Sequence, residues 1–388
     1  MNIRRITKFA FILAIASLIV WFSACDEFIS ILSDDVDMPQ LTVSGEIPVG
    51  LVLPLTGRLA TFGLPIKYGF ELALEDVNSA QLGDARLKFI IEDDQSTLEG
   101  AVVAFNKLID QDGVSVIFGP TTSGQAEVAF PIAQENEIVA FSSSSNATGL
   151  SALGDFIFRA GLTTDVLIPR GVRATHAKLG YRQVAVIYDK IDPYSIDSYE
   201  KFMATLTELE VEILTTETFQ SGDTDFSDQL ARIKALNPDA LFIAALPPEL
   251  TGIMVQGRGL EISTEVPFIT SLISDVENAG DAAEGAISFA GWISTASTPG
   301  NQAFVENYRA RYDGEPNPWT AQSYAAVHIV TKAIGNAQST QPTAIRDALA
   351  NIRDFDTVLG KFSFDLHGDA VYDPKILIVK NGQFEIFE

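Results

Sequence analysis

The sequence predicts an α/β protein built from two doubly wound sheets of mainly parallel strands. Three observations carry that expectation. Short β-rich runs alternate with segments whose apolar residues recur at helical spacing. At 388 residues the chain is long for a single core. Its 47% hydrophobic and 20% charged content is that of an ordinary globular protein.

Each element follows in order. IPVGLVLPL reads as a strand, and Ile66 to Asn78 as a helix. ARLKFIIED is again a strand and Leu98 to Asp110 a helix. VSVIFGP, then Gln125 to Asn136, then EIVAFS repeat the unit. Phe156 to Arg159 closes this first set. The second set opens with a helix from Val166 to Leu179, the strand QVAVIYD and a helix from Ser198 to Glu208. VEILTTETF, Phe226 to Leu236, DALFIAAL, Glu249 to Gly259 and VPFITS continue the alternation. Ligands of open α/β sheets lie beyond the carboxyl ends of the strands, which directs attention to the loops that follow them.

The N-terminus reads as an export signal. Arg4, Arg5 and Lys8 precede a 14-residue apolar stretch, Phe9 to Phe22, which is short for a membrane span of roughly 20. Ser23, Ala24 and the single cysteine, Cys25, follow, and this resembles a bacterial lipobox in which the thiol is acylated after cleavage. Removing those three cations from a net charge of −25 leaves −28. With its one thiol on lipid, the chain forms no intramolecular disulfide. Asp26 to Gln40 is acidic and proline-ended, as expected of a tether holding the domain off a membrane. The acidic balance excludes a nucleic-acid binder, because phosphate recognition needs clustered Lys and Arg.

Signatures of covalent chemistry are absent from the sequence. His176, His328 and His367 lie far apart without metal-ligand spacing. There is no GxSxG elbow, phosphate-binding GxxxxGK or GxGxxG. Neither a metal nor a cofactor is expected. Glu92, Asp93 and Asp94 end a strand; they read as a solvated strand end, with acid–base chemistry as the competing enzyme reading. Two strand-end loops differ from this background. PTTSGQAE places Ser123 just before a helix, where free N–H groups and the dipole favour an anion. SSSSNATG follows the next strand. Either the two loops converge on one small polar group, or Ser123 caps its helix and the serines only turn the chain.

From Ile47 to the end, the ordered set GLVLPLTGRLATFG, YGFELALEDVN, IIEDDQST, VIFGPTTSGQA, FSSSSNATGL, VAVIYDKIDPYS and FDTVLGKFSFDLHGDAVYDP resembles the periplasmic leucine/isoleucine/valine-binding family, the type I solute-binding proteins of ABC transporters. The resemblance implies two α/β lobes joined by three crossovers, with solute in the cleft and an ABC permease as partner. It divides the chain into a signal peptide (1–24), a tether (25–45), lobe 1 (46–163 and 291–356) and lobe 2 (164–290 and 357–388).

The resemblance also places ligand contacts. Ser123 matches a serine on the ligand carboxylate, Ser144 a backbone carbonyl receiving the ammonium, and Asn146 a threonine holding both, with Ser145 between them. Phe62, Tyr194 and Trp319 match aromatic positions lining the cleft. Two positions depart from the pattern. Leu272 stands where the acid for the ammonium is expected, with Asp275 three residues on, and Leu246 replaces a tyrosine. Arg58 lies close enough to the cleft to meet a carboxylate. The leading expectation is thus an extracytoplasmic, lipid-anchored solute-binding protein for a branched-chain amino acid or a related apolar carboxylate or amide. A membrane-anchored sensor of the same fold is the alternative.

Overall fold

The structure, a computed structural model, describes residues 44–80, 84–272 and 276–387. The signal segment, Cys25, tether residues 25–43 and Asp275 lie outside the described residues, while Gly45, assigned to the tether, opens the first strand. The first sheet has the order β2-β1-β3-β4-β5, all parallel. Its strands are β1 (Gly45–Leu53), β2 (Ala85–Asp93), β3 (Val116–Phe118), β4 (Val139–Ser142) and β5 (Ile157–Arg159). Helices α1 (Ala60–Ala80), α2 (Leu98–Asp110) and α3 (Ser123–Glu135) make the crossovers.

After α4 (Thr164–Leu179) a second sheet is wound from β6 (Gln183–Asp189), β7 (Glu212–Phe219), β8 (Ala240–Ala244), β9 (Phe268–Thr270) and β10 (Ile287–Ala290). Between these strands run α5 (Pro193–Glu208), α6 (Ser227–Leu236), α7 (Pro247–Gly259) and the short α8 (Val276–Ala279). The strand β14 (Lys375–Lys380) joins antiparallel to β10, and β15 (Gln383–Ile386) antiparallel to β14. The sheet order is β15-β14-β10-β9-β8-β6-β7.

The intervening chain returns to the first sheet. Helices α9 (Asn301–Arg311), α10 (Pro318–Ala337) and α11 (Pro342–Ala350) lead into a small antiparallel sheet, β11 (Phe355–Thr357), β12 (Gly360–Phe364) and β13 (Ala370–Val371). The packing of α10 on α1 is close: a Cβ at Gly69 would sit 2.3 Å from the Thr320 carbonyl oxygen. The sequence reading assigned 357–388 to the second lobe, and its first half does not belong there. Phe364 packs against Phe141 and Phe158 of the first sheet, and the Arg159 N–H donates to the Gly368 carbonyl at 3.0 Å. Only the β14–β15 hairpin reaches the second sheet, since its apolar Leu377 and Val379 are buried there.

The parallel strands are apolar because helices cover both faces: every residue of β8 is buried. The order of the first sheet reverses between β1 and β3, and that of the second between β6 and β8. The loops after those strands diverge there and leave a crevice in each lobe.

Candidate functional site

Three loops of the first sheet and three of the second supply the site. After β3 the chain turns through Gly119, Pro120 and Thr121 into α3. The helix cap is Thr122, not Ser123. The Thr122 hydroxyl accepts the Gln125 N–H at 3.3 Å, and the Gln125 side chain reaches back to the Thr122 N–H. This overturns the reading of Ser123 as a helix cap and leaves its hydroxyl for another role. Ser123 is buried, and its Oγ accepts the N–H of Ala147 at 3.1 Å. That bond ties the loop after β3 to the loop after β4, so the two polar loops do converge.

The serine run is folded as tightly as a core segment. The Ser142 hydroxyl donates to the Pro120 carbonyl and accepts the Ser145 N–H at 3.1 Å. The Ser144 hydroxyl donates to the Thr121 carbonyl at 2.9 Å. Ser142 to Asn146 are all buried. Four buried polar atoms of these loops and of α10 have no hydrogen-bond partner among the described residues: Thr121 Oγ1, Ser145 Oγ, Asn146 Oδ1 and Gln322 Oε1. Leaving a buried polar group unpaired costs about 1–3 kcal/mol. Unpaired groups at these strand ends therefore call for a partner, and they make the two loops the candidate polar surface.

The aromatic and aliphatic candidates form the apolar part. Phe62 in α1 and Trp319 in α10 meet edge to face, with centroids 4.0 Å apart. Tyr194, Leu246 and Trp319 are all buried in one continuous apolar cluster with Phe62, and the half-buried Leu272 packs against it. The sequence reading began the second helix of the second set at Ser198. The structure starts α5 five residues earlier, because Asp192 caps it by accepting the Ser195 N–H and Pro193 fills its first position. Tyr194 is therefore fixed in a helical first turn. Its hydroxyl bonds Ser271 Oγ at 2.6 Å, and burial pushes its pKa up, so it stays a neutral phenol.

Arg58 meets a carboxylate, but a protein one. Its Nη1 donates to both oxygens of Glu249, at 2.8 and 2.7 Å, and Glu249 is buried in the first turn of α7. The pair joins the loop after β1 to a second-sheet helix. A second bridge runs from the Thr148 N–H to Asp197 Oδ2 in α5 at 2.9 Å. Neither pairing was visible in the sequence, since the partners lie 191 and 49 positions apart and carry no motif.

The acids at the end of β2 are loop braces. Glu92 pairs with Lys107. Asp93 accepts the N–H groups of Leu55, Thr56 and Gln95, at 2.9, 3.1 and 2.9 Å. Asp94 accepts the Ser96 N–H at 2.8 Å. Burial raises the carboxyl of Asp94 to about 6, and that of Asp192 to about 6 as well. In the unfolded chain both titrate near 3.8. The folded state thus binds these protons more tightly. The stability they contribute is present below about pH 4 and is lost as pH rises through about 6. Asp94→Asn, measured by urea unfolding against the parent, should gain on the order of 1–2 kcal/mol in relative stability between pH 4 and pH 7.5. An unchanged difference across that range contradicts the raised carboxyl.

Residues 46–380 match the family model described as Periplasmic binding protein. The chain is 26% identical to Leu/Ile/Val-binding protein homolog 2 of Brucella abortus, over 89% of this chain and 95% of that protein. The Thermotoga maritima leucine binding protein LivK superposes with a TM-score of 0.82 at 27% identity, covering 88% of this chain and 98% of the other. A solute binding protein from R. palustris, solved in complex with benzoate, gives a TM-score of 0.82 at 22% identity, covering 88% and 95%.

Proposed function

Because the chain belongs to the periplasmic binding protein family, we propose that it is an extracytoplasmic solute-binding lipoprotein that captures a small molecule between its lobes and delivers it to an ABC permease. Cys25 is the lipid attachment point in this reading. The observation that carries the reading is a set of unpartnered polar atoms in first-lobe loops that meet α5 of the second lobe, where a Cβ at Gly124 would lie 3.3 Å from Pro193 and the Thr148 N–H donates to Asp197. Thr121 Oγ1, Ser145 Oγ and Asn146 Oδ1 offer polar contacts from the first lobe. Tyr194, Leu246 and Leu272 offer hydrocarbon and a neutral phenol from the second. Ligand contacts drawn from both lobes favour the closed arrangement, and that differential affinity shifts the population toward it. No covalent step is part of the mechanism.

The ligand is a small carboxylate or amide with an apolar body. Branched-chain amino acids, the solutes in the relatives' names, fit the apolar wall. Their ammonium meets Leu272 where an acid would serve it, and a buried ammonium without a counter-charge costs several kcal/mol. Acids lacking the amine avoid that cost, and the same fold holds benzoate in the R. palustris protein.

Titration calorimetry with L-leucine and L-valine against 4-methylpentanoate, 3-methylbutanoate and benzoate tests this, alongside native mass spectrometry of the purified protein for a retained solute. The amine-free acids should bind at least as tightly as the amino acids. Binding of leucine or valine alone would refute the ligand class, and chemical conversion of a bound solute would refute the binding-protein reading.

A further inference from the structure

The loop after β4 is held by a buried guanidinium whose hydrogen bonds all go to the protein. Arg159, the last residue of β5, is fully buried. Its Nη1 donates to the carbonyl oxygens of Ala147 at 2.6 Å and Ser145 at 3.2 Å. Its Nε donates to Ser151 Oγ and to Asp369 Oδ1, both at 2.8 Å, and Nη2 lies 2.6 Å from the same Asp369 oxygen. Asp369 comes from the hairpin between β12 and β13, 210 residues away, and also accepts the Ser151 hydroxyl. Taking a guanidinium out of water costs several kcal/mol, and an apolar residue of similar volume often stabilises as well. Stability alone is therefore a poor account of why a cation sits here.

The two carbonyls point to a better one. Arg159 takes Ser145 and Ala147, the Thr164 N–H takes the Asn146 carbonyl at 2.9 Å, and Ser123 Oγ takes the Ala147 N–H. Three successive peptide groups are thereby fixed from the protein side. In a planar trans peptide the N–H lies opposite the C=O. With the Ser145 carbonyl turned to Arg159, the Asn146 N–H faces away from the guanidinium, and the Ser145 hydroxyl of the same loop has no hydrogen-bond partner among the described residues.

We infer that Arg159, braced by Asp369, is a positioning residue: it holds the Ser145–Thr148 backbone so that the Asn146 N–H and the Ser145 hydroxyl donate to the acceptor oxygen of the solute's carboxylate or amide. The inference rests on the solute-binding reading above. A lysine at 159 keeps the charge beside Asp369 but lacks the planar fork that spans both carbonyls and the acid. Losing hydrogen bonds to a charged group corresponds to about 10- to 100-fold in affinity.

Three measurements test the assignment, using whichever of L-leucine, 4-methylpentanoate and benzoate the parent binds. Arg159→Lys should weaken that probe at least tenfold and Arg159→Met more, by the estimate just given. Without ligand, amide exchange in peptides covering 143–148 should accelerate in Arg159→Lys, while those covering β6 and β8 keep their parental rates. The charge-free pair Arg159→Met with Asp369→Leu should regain most of the melting temperature without regaining affinity. Parental exchange in Arg159→Lys overturns the inference, as does affinity that returns with stability in the double variant. If the parent binds none of the probes, the ligand class has failed separately, and the exchange comparison still decides the role of Arg159.

Discussion

Gly119→Ala is expected to cost roughly 3 kcal/mol or more of folding stability. Gly119 follows β3 directly, with φ at +112°, a backbone region that L side chains rarely adopt. A Cβ built there lies 2.5 Å from the Val52 carbonyl oxygen and 3.2 Å from the Val52 Cβ. Both obstacles belong to β1, whose backbone is paired with β2 along one side and β3 along the other, so the clash has no cheap relief. The Gly119 N–H also donates to the Phe141 carbonyl of β4 at 2.9 Å. One residue thus sets where the chain leaves the sheet toward Thr121 and Ser123.

Gly113 is the matched control. Its φ is +62°, but a Cβ there meets nothing within 4 Å. Gly113→Ala should therefore cost only about 1 kcal/mol, the backbone term alone. Urea unfolding of both variants separates close approach from φ. Equal losses at the two positions would mean that the contact with β1 is not a constraint.

The contrast between these glycines shows what a sequence makes legible. The β–α alternation, and with it the two sheets, was readable because burial between helix layers leaves its mark on each strand locally. The helix from Leu98 to Asp110 was placed to the residue, since Thr97 caps it and its apolar face is regular. The strand-end loops were readable as polar interruptions of apolar runs. Harder to see were starts set by a cap and a proline, which moved α5 back to Pro193. Strands β12 and β13 were assigned to the second lobe because their contacts, such as Phe364 on Phe141, join residues far apart in the chain. Long-range ion pairs carry no local signature at all. Arg58 was visible as a cation near the cleft, while its partner Glu249 looked like any acid at a helix start. Asp369 stood inside a recognisable motif, yet nothing in that motif names Arg159.

Arg58→Ala is expected to weaken binding of every solute by roughly tenfold while leaving their order unchanged. The Arg58–Glu249 pair crosses from the loop after β1 to α7, so under the proposed hinge closure it is made as the lobes approach. Its hydrogen bonds run to neither the polar loop nor Leu272, so on the same proposal it favours closure without reading the ligand. Arg58 is about a third exposed, at 31%, so solvent screening reduces its contribution to about 1–2 kcal/mol. Glu249 does not become an orphan in the variant. It still accepts the Gly222 N–H at 2.8 Å and sits in the first turn of α7, where the helix dipole favours a carboxylate. The variant should accordingly fold, with the loss confined to the closed state.

Calorimetry over the ligand panel, at low and at high salt, measures the effect. The parent's advantage should shrink as salt screens the partly exposed Arg58. Scattering from the ligand-free proteins supplies a readout independent of any solute, with Arg58→Ala giving the larger radius of gyration. A variant that reorders the ligands would instead place Arg58 against the solute. A variant with parental affinity and radius would mean that contacts such as Thr148 with Asp197 suffice to hold the lobes together.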